Sequence, residues 1–167
     1  MTEYEFTFVS EPLTEAVEGR LAQELGAFVG GHGATTLITV SAEGDDALAV
    51  GMSLVHELRG RGVVVHRVYH DLVTRSQIAE RAHVSRQAVG LWTRGERLAG
   101  GPPFPEPFGL AGGGLWMWSD VNAWLTEAGR GSDEVSYPDA MEIARLNTVL
   151  DDGARADDAS RLLAHVP

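Results

Sequence analysis

Residues 74–97 read TRSQIAERAHVSRQAVGLWTRGER, and how this stretch folds decides the architecture around it. Thr74 is a good N-cap for a first helix that carries Ile78 and Ala79 inward and ends near Ala82. His83 and Val84 make a turn, and Ser85 offers a second N-cap. Val89 and Trp92, three apart, share one face of the second helix and pack back on Ile78 and Ala79, where the small alanine allows close approach. This is the spacing of a helix-turn-helix. It leaves Arg86, Gln87, Arg94 and Arg97 off the packed face.

A helix of about ten residues is roughly 15 Å long, and it enters the major groove of DNA when a second helix braces it from behind. Ser85, Arg86 and Gln87 stand at the N-terminal end of the second helix, the end that points into the groove in such docking. Arginine pairs bidentately with guanine and glutamine with adenine. The predicted DNA-binding set is therefore Ser85, Arg86, Gln87, Arg94 and Arg97, with Arg75 at the start of the first helix. The competing reading is a helical hairpin in an ordinary core.

The 167 residues are 44% hydrophobic, contain no cysteine, and carry 13 basic and 24 acidic side chains for a net charge of −11. Such a balance argues against nucleic acid until its distribution is read. From Met1 to Leu58 one Arg faces ten acids (−9), from Arg59 to Arg97 eight Arg face three (+5), and from Leu98 to Pro167 four face eleven (−7). Basic charge gathers on the motif. No apolar run approaches the roughly 20 residues of a membrane span, and the first residues lack the basic and apolar regions of a signal peptide. A cysteine-free chain suits a reducing compartment, so the expected location is the bacterial cytoplasm, at the nucleoid when DNA is bound.

Before the motif, Tyr4–Val9 (YEFTFV) alternates as a half-buried strand does. A helix with Leu13, Val17, Leu21 and Leu25 as its apolar stripe follows Pro12. Strands at 27–30 and 35–40 flank a turn at Gly31-His32-Gly33. Asp45 or Asp46 caps a second helix with Leu48, Met52, Val55 and Leu58 inward, and Val63–Tyr69 is the closing strand. The order β-α-β-β-α-β predicts a ferredoxin-like module over residues 1–70.

After the motif, Gly100–Gly114 (GGPPFPEPFGLAGGG) is too broken by Gly and Pro for a central strand. The aromatic flanks, Phe104 and Phe108 before it ends and Leu115-Trp116-Met117-Trp118 after it, predict two short strands joined by a glycine loop, a wing. Ser119 caps a helix with Val121, Trp124 and Leu125 inward. All four tryptophans fall in this part and are expected mostly in its core. Residues 129–136 read as a polar linker, Pro138 opens a helix with Ile143, Leu146 and Leu150, Asp151-Asp152-Gly153 breaks it, and Asp157 or Asp158 starts a last short helix through Leu162 and Leu163.

No metal, cofactor or catalytic residue is expected. Gly30-Gly31-His32-Gly33 lacks the Lys-Ser/Thr ending of a P-loop and the spacing of a dinucleotide fingerprint. His66 and His70 share a strand face yet lie about 13 Å apart at strand rise, too far for one ion. Paired acids at 45–46, 151–152 and 157–158 stand at helix starts and breaks, where capping explains them.

Asp71–Leu125, with SQIAERAHVSRQAVGLWTRGER, FPEPF and LWMWSDVNAWL in order, resembles the winged helix-turn-helix of the MerR and AlpA/excisionase superfamily. The resemblance covers about a third of the chain. It implies sequence-specific binding of double-stranded DNA by proteins that regulate transcription or assist recombination. By position, it implies that Ser85, Arg86 and Gln87 face bases or phosphates and that Arg94 and Arg97 lie towards the backbone and wing. The chain departs from the pattern at His83, where glycine is usual, and in a wing with no Arg between Leu98 and Gly129.

The expectation is thus an α+β protein with an acidic ferredoxin-like module (1–70) for dimerisation or partner binding, a winged helix-turn-helix (71–128), and a linker with C-terminal helices (129–167). It acts as a transcriptional regulator and homodimer on double-stranded DNA, and is not an enzyme. The alternative is a protein-interaction adaptor, an antitoxin, anti-regulator or recombination accessory factor, whose acidic residues 1–70 bind a protein partner.

Overall fold

The structure, a computed structural model, describes residues 1–96 and 101–164, the side chains of His32, Asp158, Ala159 and residues 162–164 excepted. Among the described residues the chain is mixed α+β, with a four-stranded antiparallel sheet, a two-stranded sheet and six α-helices. It divides into two units: Met1–Tyr69 with the C-terminal helix, and His70–Asp139.

The first unit runs β1 (Thr2–Ser10), α1 (Glu15–Leu25), β2 (Phe28–His32), β3 (Thr35–Gly44), α2 (Ala47–Gly60) and β4 (Val65–Val68). The sheet order is β2-β3-β1-β4 with every neighbour antiparallel. Alternation decides its faces. Phe6 lies opposite Val40 and Phe8 opposite Ile38, all four buried. On the other face Thr7 and Thr39 share a hydroxyl hydrogen bond of 3.0 Å.

Two local expectations change. β2 runs on through Gly30-Gly31 to His32, so the turn is Gly33-Ala34, with Gly33 in the left-handed region at φ 64°. In α2, Asp46 is the cap and accepts the Ala49 N–H at 2.8 Å, so the buried stripe is Ala47, Val50, Gly51, Leu54, Val55 and Leu58. Met52 is exposed and Leu48 only half-buried.

The C-terminal segment differs most. In place of a helix opened at Pro138, broken at Asp151-Asp152-Gly153 and resumed, a single 25-residue helix α6 runs Ala140–Ala164. Ile143, Leu146 and Leu150 are buried, and α6 packs on α2 and β4. A Cβ on Gly51 would stand 2.7 Å from Leu146 Cδ1 and 3.0 Å from the Phe6 ring, so glycine is required where these elements converge. Mid-helix glycine costs only about 1 kcal/mol relative to alanine, too little at Gly153 to break a helix anchored over three turns. Asn147 accepts the Val68 N–H at 2.7 Å and donates to the Val68 carbonyl at 3.3 Å, standing in for a further strand on β4.

The second unit runs β5 (Leu72–Val73), α3 (Arg75–Arg81), α4 (Arg86–Thr93), β6 (Trp116–Met117) and α5 (Trp118–Glu127). Of the two strands expected around the glycine loop, only the second forms among the described residues. β6 pairs with β5, Leu72 opposite Met117 and Val73 opposite Trp116, while the segment before the glycine loop contributes only a Gly109–Leu115 bridge. The proline stretch is packed by aromatic rings: Phe104 lies 5.0 Å from Trp124, 6.1 Å from Trp116 and 6.3 Å from Trp92. Trp116 and Trp124 donate their indole N–H groups to the carbonyls of Pro105 and Pro102, each at 3.0 Å. All four tryptophans are buried.

Two further readings are corrected. α5 starts at Trp118 after Met117, so Ser119 is not its cap, and the Ser119 hydroxyl is buried without a partner among the described residues. The polar stretch after α5 is pinned to it. Asp133 accepts Trp118 Nε1–H at 2.9 Å and the Tyr137 hydroxyl at 2.7 Å, and its own N–H meets Asn122 Oδ1 at 2.9 Å.

Candidate nucleic-acid interface

The site is built on two capped helices. Thr74 Oγ1 accepts the Gln77 N–H at 3.3 Å while Gln77 Oε1 accepts the Thr74 N–H at 2.9 Å, a reciprocal capping box. Ile78 and Ala79 of α3 are buried with Val89 and Trp92 of α4. The turn holds His83 at φ 52°, the one non-glycine residue with positive φ among those described. That conformation costs a non-glycine residue energy, and histidine is among the side chains that adopt it most readily. The return is geometric. Val84 N–H reaches the Ala79 carbonyl at 2.9 Å, and Ser85 then caps α4 by accepting the Ala88 N–H at 3.1 Å.

Arg86 and Gln87 follow as the first two residues of α4. Both are exposed, and neither has a hydrogen bond or ion pair among the described residues. The Ser85 hydroxyl spends an acceptor site on the cap and keeps its proton to donate. Arg75 is exposed at the first position of α3, its guanidinium 5.9 Å from the centre of the Trp116 ring. Arg75 thus stands exposed in the first turn of α3, and Ser85, Arg86 and Gln87 in the first turn of α4, the helix end whose dipole favours an anion.

Arg94 differs. It is the C-cap of α4, and it binds Glu96 through two hydrogen bonds of 2.8 and 3.3 Å, so it is not free as the spacing predicted. Glu96 in turn is held below the usual carboxylate range by that bond. Arg97 lies outside the described residues.

Two arginines that the sequence reading left out also shape this unit. Arg81 binds both oxygens of Asp71 and lies 5.0 Å over the Trp118 ring. Burial disfavours its charge, but the Asp71 hydrogen bonds and attraction more than offset this and raise its pKa. Arg81 is thus committed to structure. Arg130 lies 5.3 Å over the Trp92 ring and is exposed. It edges an open cleft of about 370 Å³ with Arg81, His83 and Asp133, floored by Trp118 and Leu125. Its place outside the basic stretch hid it.

The basic stretch is divided between the two units. Of the eight arginines between 59 and 97, Arg59, Arg61 and Arg67 belong to the first unit. There Arg61 is bound by Glu57 and by Glu24, the latter at 2.9 Å. The second unit holds six arginines against nine acids, so its attraction for an anion is local to α3, the turn and α4. No protein-family model, curated protein or solved structure matches the chain.

Proposed function

We propose that this chain is a sequence-specific double-stranded DNA-binding protein, most simply a transcriptional regulator, that reads the major groove with the N-terminal turn of α4. The observation that carries the reading is Arg86 and Gln87, exposed and unpaired on a helix whose opposite face, Val89 and Trp92, is locked against Ile78 and Ala79. On this reading α3 and α4 form a helix-turn-helix, β5, β6 and the glycine loop a reduced wing, and the first unit a ferredoxin-like module. The sheet order supports that last assignment, since β1 and β2 run in the same direction with β3 between them, the arrangement of a split βαβ.

Arg86 and Gln87 supply base contacts, and Arg75 and the Ser85 hydroxyl supply phosphate contacts. With so few free cations the electrostatic part is small. One or two neutralised phosphates per copy, by Arg75 and at most Arg86, give a log–log salt slope of roughly −1 to −2. Titration of a duplex obtained by in vitro selection at several salt concentrations tests the reading: absence of binding, or binding indifferent to salt, overturns it.

One observation favours a second reading. Residues 1–58 carry ten acids against one arginine, a surface suited to a basic protein, as in an antitoxin or anti-regulator.

A further inference from the structure

The two edges of the four-stranded sheet are finished differently. On β4, Asn147 occupies both backbone groups of Val68 and α6 packs alongside. On β2, the charges, prolines and bulges that commonly guard an edge strand are missing. The strand and its turn, residues 27–34, read AFVGGHGA, without charge or proline. β2 pairs with β3 without a bulge, no other strand lies beyond it among the described residues, and Phe28 stands on it 71% exposed. The 18 residues between Glu24 and Glu43 form the longest charge-free run of the whole chain, set in a segment of −9.

We propose that β2 is a self-association edge, where the β2 strands of two copies pair antiparallel about a two-fold axis. A strand that meets its own copy this way is self-complementary in its backbone hydrogen bonds. Charge selects the occupant. Two copies that each carry −9 over residues 1–58 repel wherever their acids face, and β2 is an edge without acids. A basic partner would be drawn instead to the acids of α1 and β1. Five-residue strands make a small contact, so association is concentration-dependent. The inference does not depend on DNA, because self-association is read without it.

The test is sedimentation of the full chain across a wide concentration range. The expected weight-average mass rises from 17.9 kDa towards twice that value. Phe28→Glu and Gly31→Lys each weaken association at least about tenfold, since both bury a charge in a strand-to-strand contact. Their added charges have opposite signs, so a shared loss cannot come from net charge. Gly31 has room for a side chain, the nearest atom to an added Cβ being the Thr35 carbonyl oxygen at 3.9 Å. On the unaltered protein, amide exchange between Val29 and Gly31 slows as concentration rises. A mass of 17.9 kDa at every concentration, association unchanged in both variants, or exchange at β2 indifferent to concentration overturns the proposal.

Discussion

The two units solve the problem of a small core in opposite ways. The first unit builds on long elements, nine- and ten-residue strands and helices of up to 25 residues, whose alternation and 3.6-residue repeats bury aliphatic and phenylalanine side chains. The second unit has helices of seven, eight and ten residues and strands of two. Helices so short are marginal alone. What holds them is four tryptophans, three of which also spend their indole N–H on a carbonyl or carboxylate. Each unit is therefore most fragile at a different kind of contact: the first where long elements converge on Gly51 and Leu146, the second at its tryptophan rings.

That contrast is open to direct attack, because every tryptophan lies in the second unit. Tryptophan fluorescence therefore reports that unit, while far-ultraviolet circular dichroism reports both. Trp124→Ala removes contacts to Trp92 and Phe104 and the bond to Pro102, and is expected to cost about 3–5 kcal/mol. The second unit should then melt first, as a separate early transition in fluorescence. Leu146→Ala, on the buried face of α6 against Gly51, is expected to cost about 2–5 kcal/mol. Its early transition should appear in circular dichroism and leave the fluorescence midpoint in place. A common midpoint for both signals in both variants would erase the distinction between the units.

A smaller effect sharpens it. Ser85→Ala removes the α4 cap and is expected to cost about 1 kcal/mol in the second unit alone, read as a lower fluorescence midpoint. Smaller still is Glu96→Gln. The Arg94 hydrogen bond lowers the Glu96 carboxyl, so the pair is whole above the ordinary carboxylate range and is lost only as pH falls through the lowered value. At neutral pH Glu96 is therefore charged and holds Arg94. Freeing Arg94 should tighten DNA binding a few-fold and steepen the salt slope by about one.

Legibility from sequence followed the same division between local and distant causes. Thr74, His83 and Ser85 act through neighbours three to five residues away, so the capped hairpin was legible in the order of residues alone. The β-α-β-β-α-β element order was legible too, from the alternation of the first strand and from short apolar runs bounded by turn residues and caps. α6 was not. Asp151-Asp152-Gly153 is a genuine local break signal, and packing of Ile143, Leu146 and Leu150 on elements nearly a hundred residues away overrode it. The β4–Asn147 contact spans 79 residues.

In the candidate site the residue types were legible but their partners were not. Arg81 and Arg94 look as free in the sequence as Arg86, yet Asp71 and Glu96 occupy them. Neither pair has the helical spacing that would have revealed it. The +5 stretch likewise merges residues of two units, which only the fold separates.

If the first turn of α4 reads base pairs, its side chains set the sequence that is bound. In vitro selection of bound duplexes with the unaltered protein, repeated with Arg86→Ala and with Gln87→Ala, tests it most directly. One preferred sequence is expected for the unaltered protein, and in each variant a loss of roughly 1–3 kcal/mol with relaxed preference at distinct positions. Selected sequences and affinities unchanged by both substitutions would contradict it.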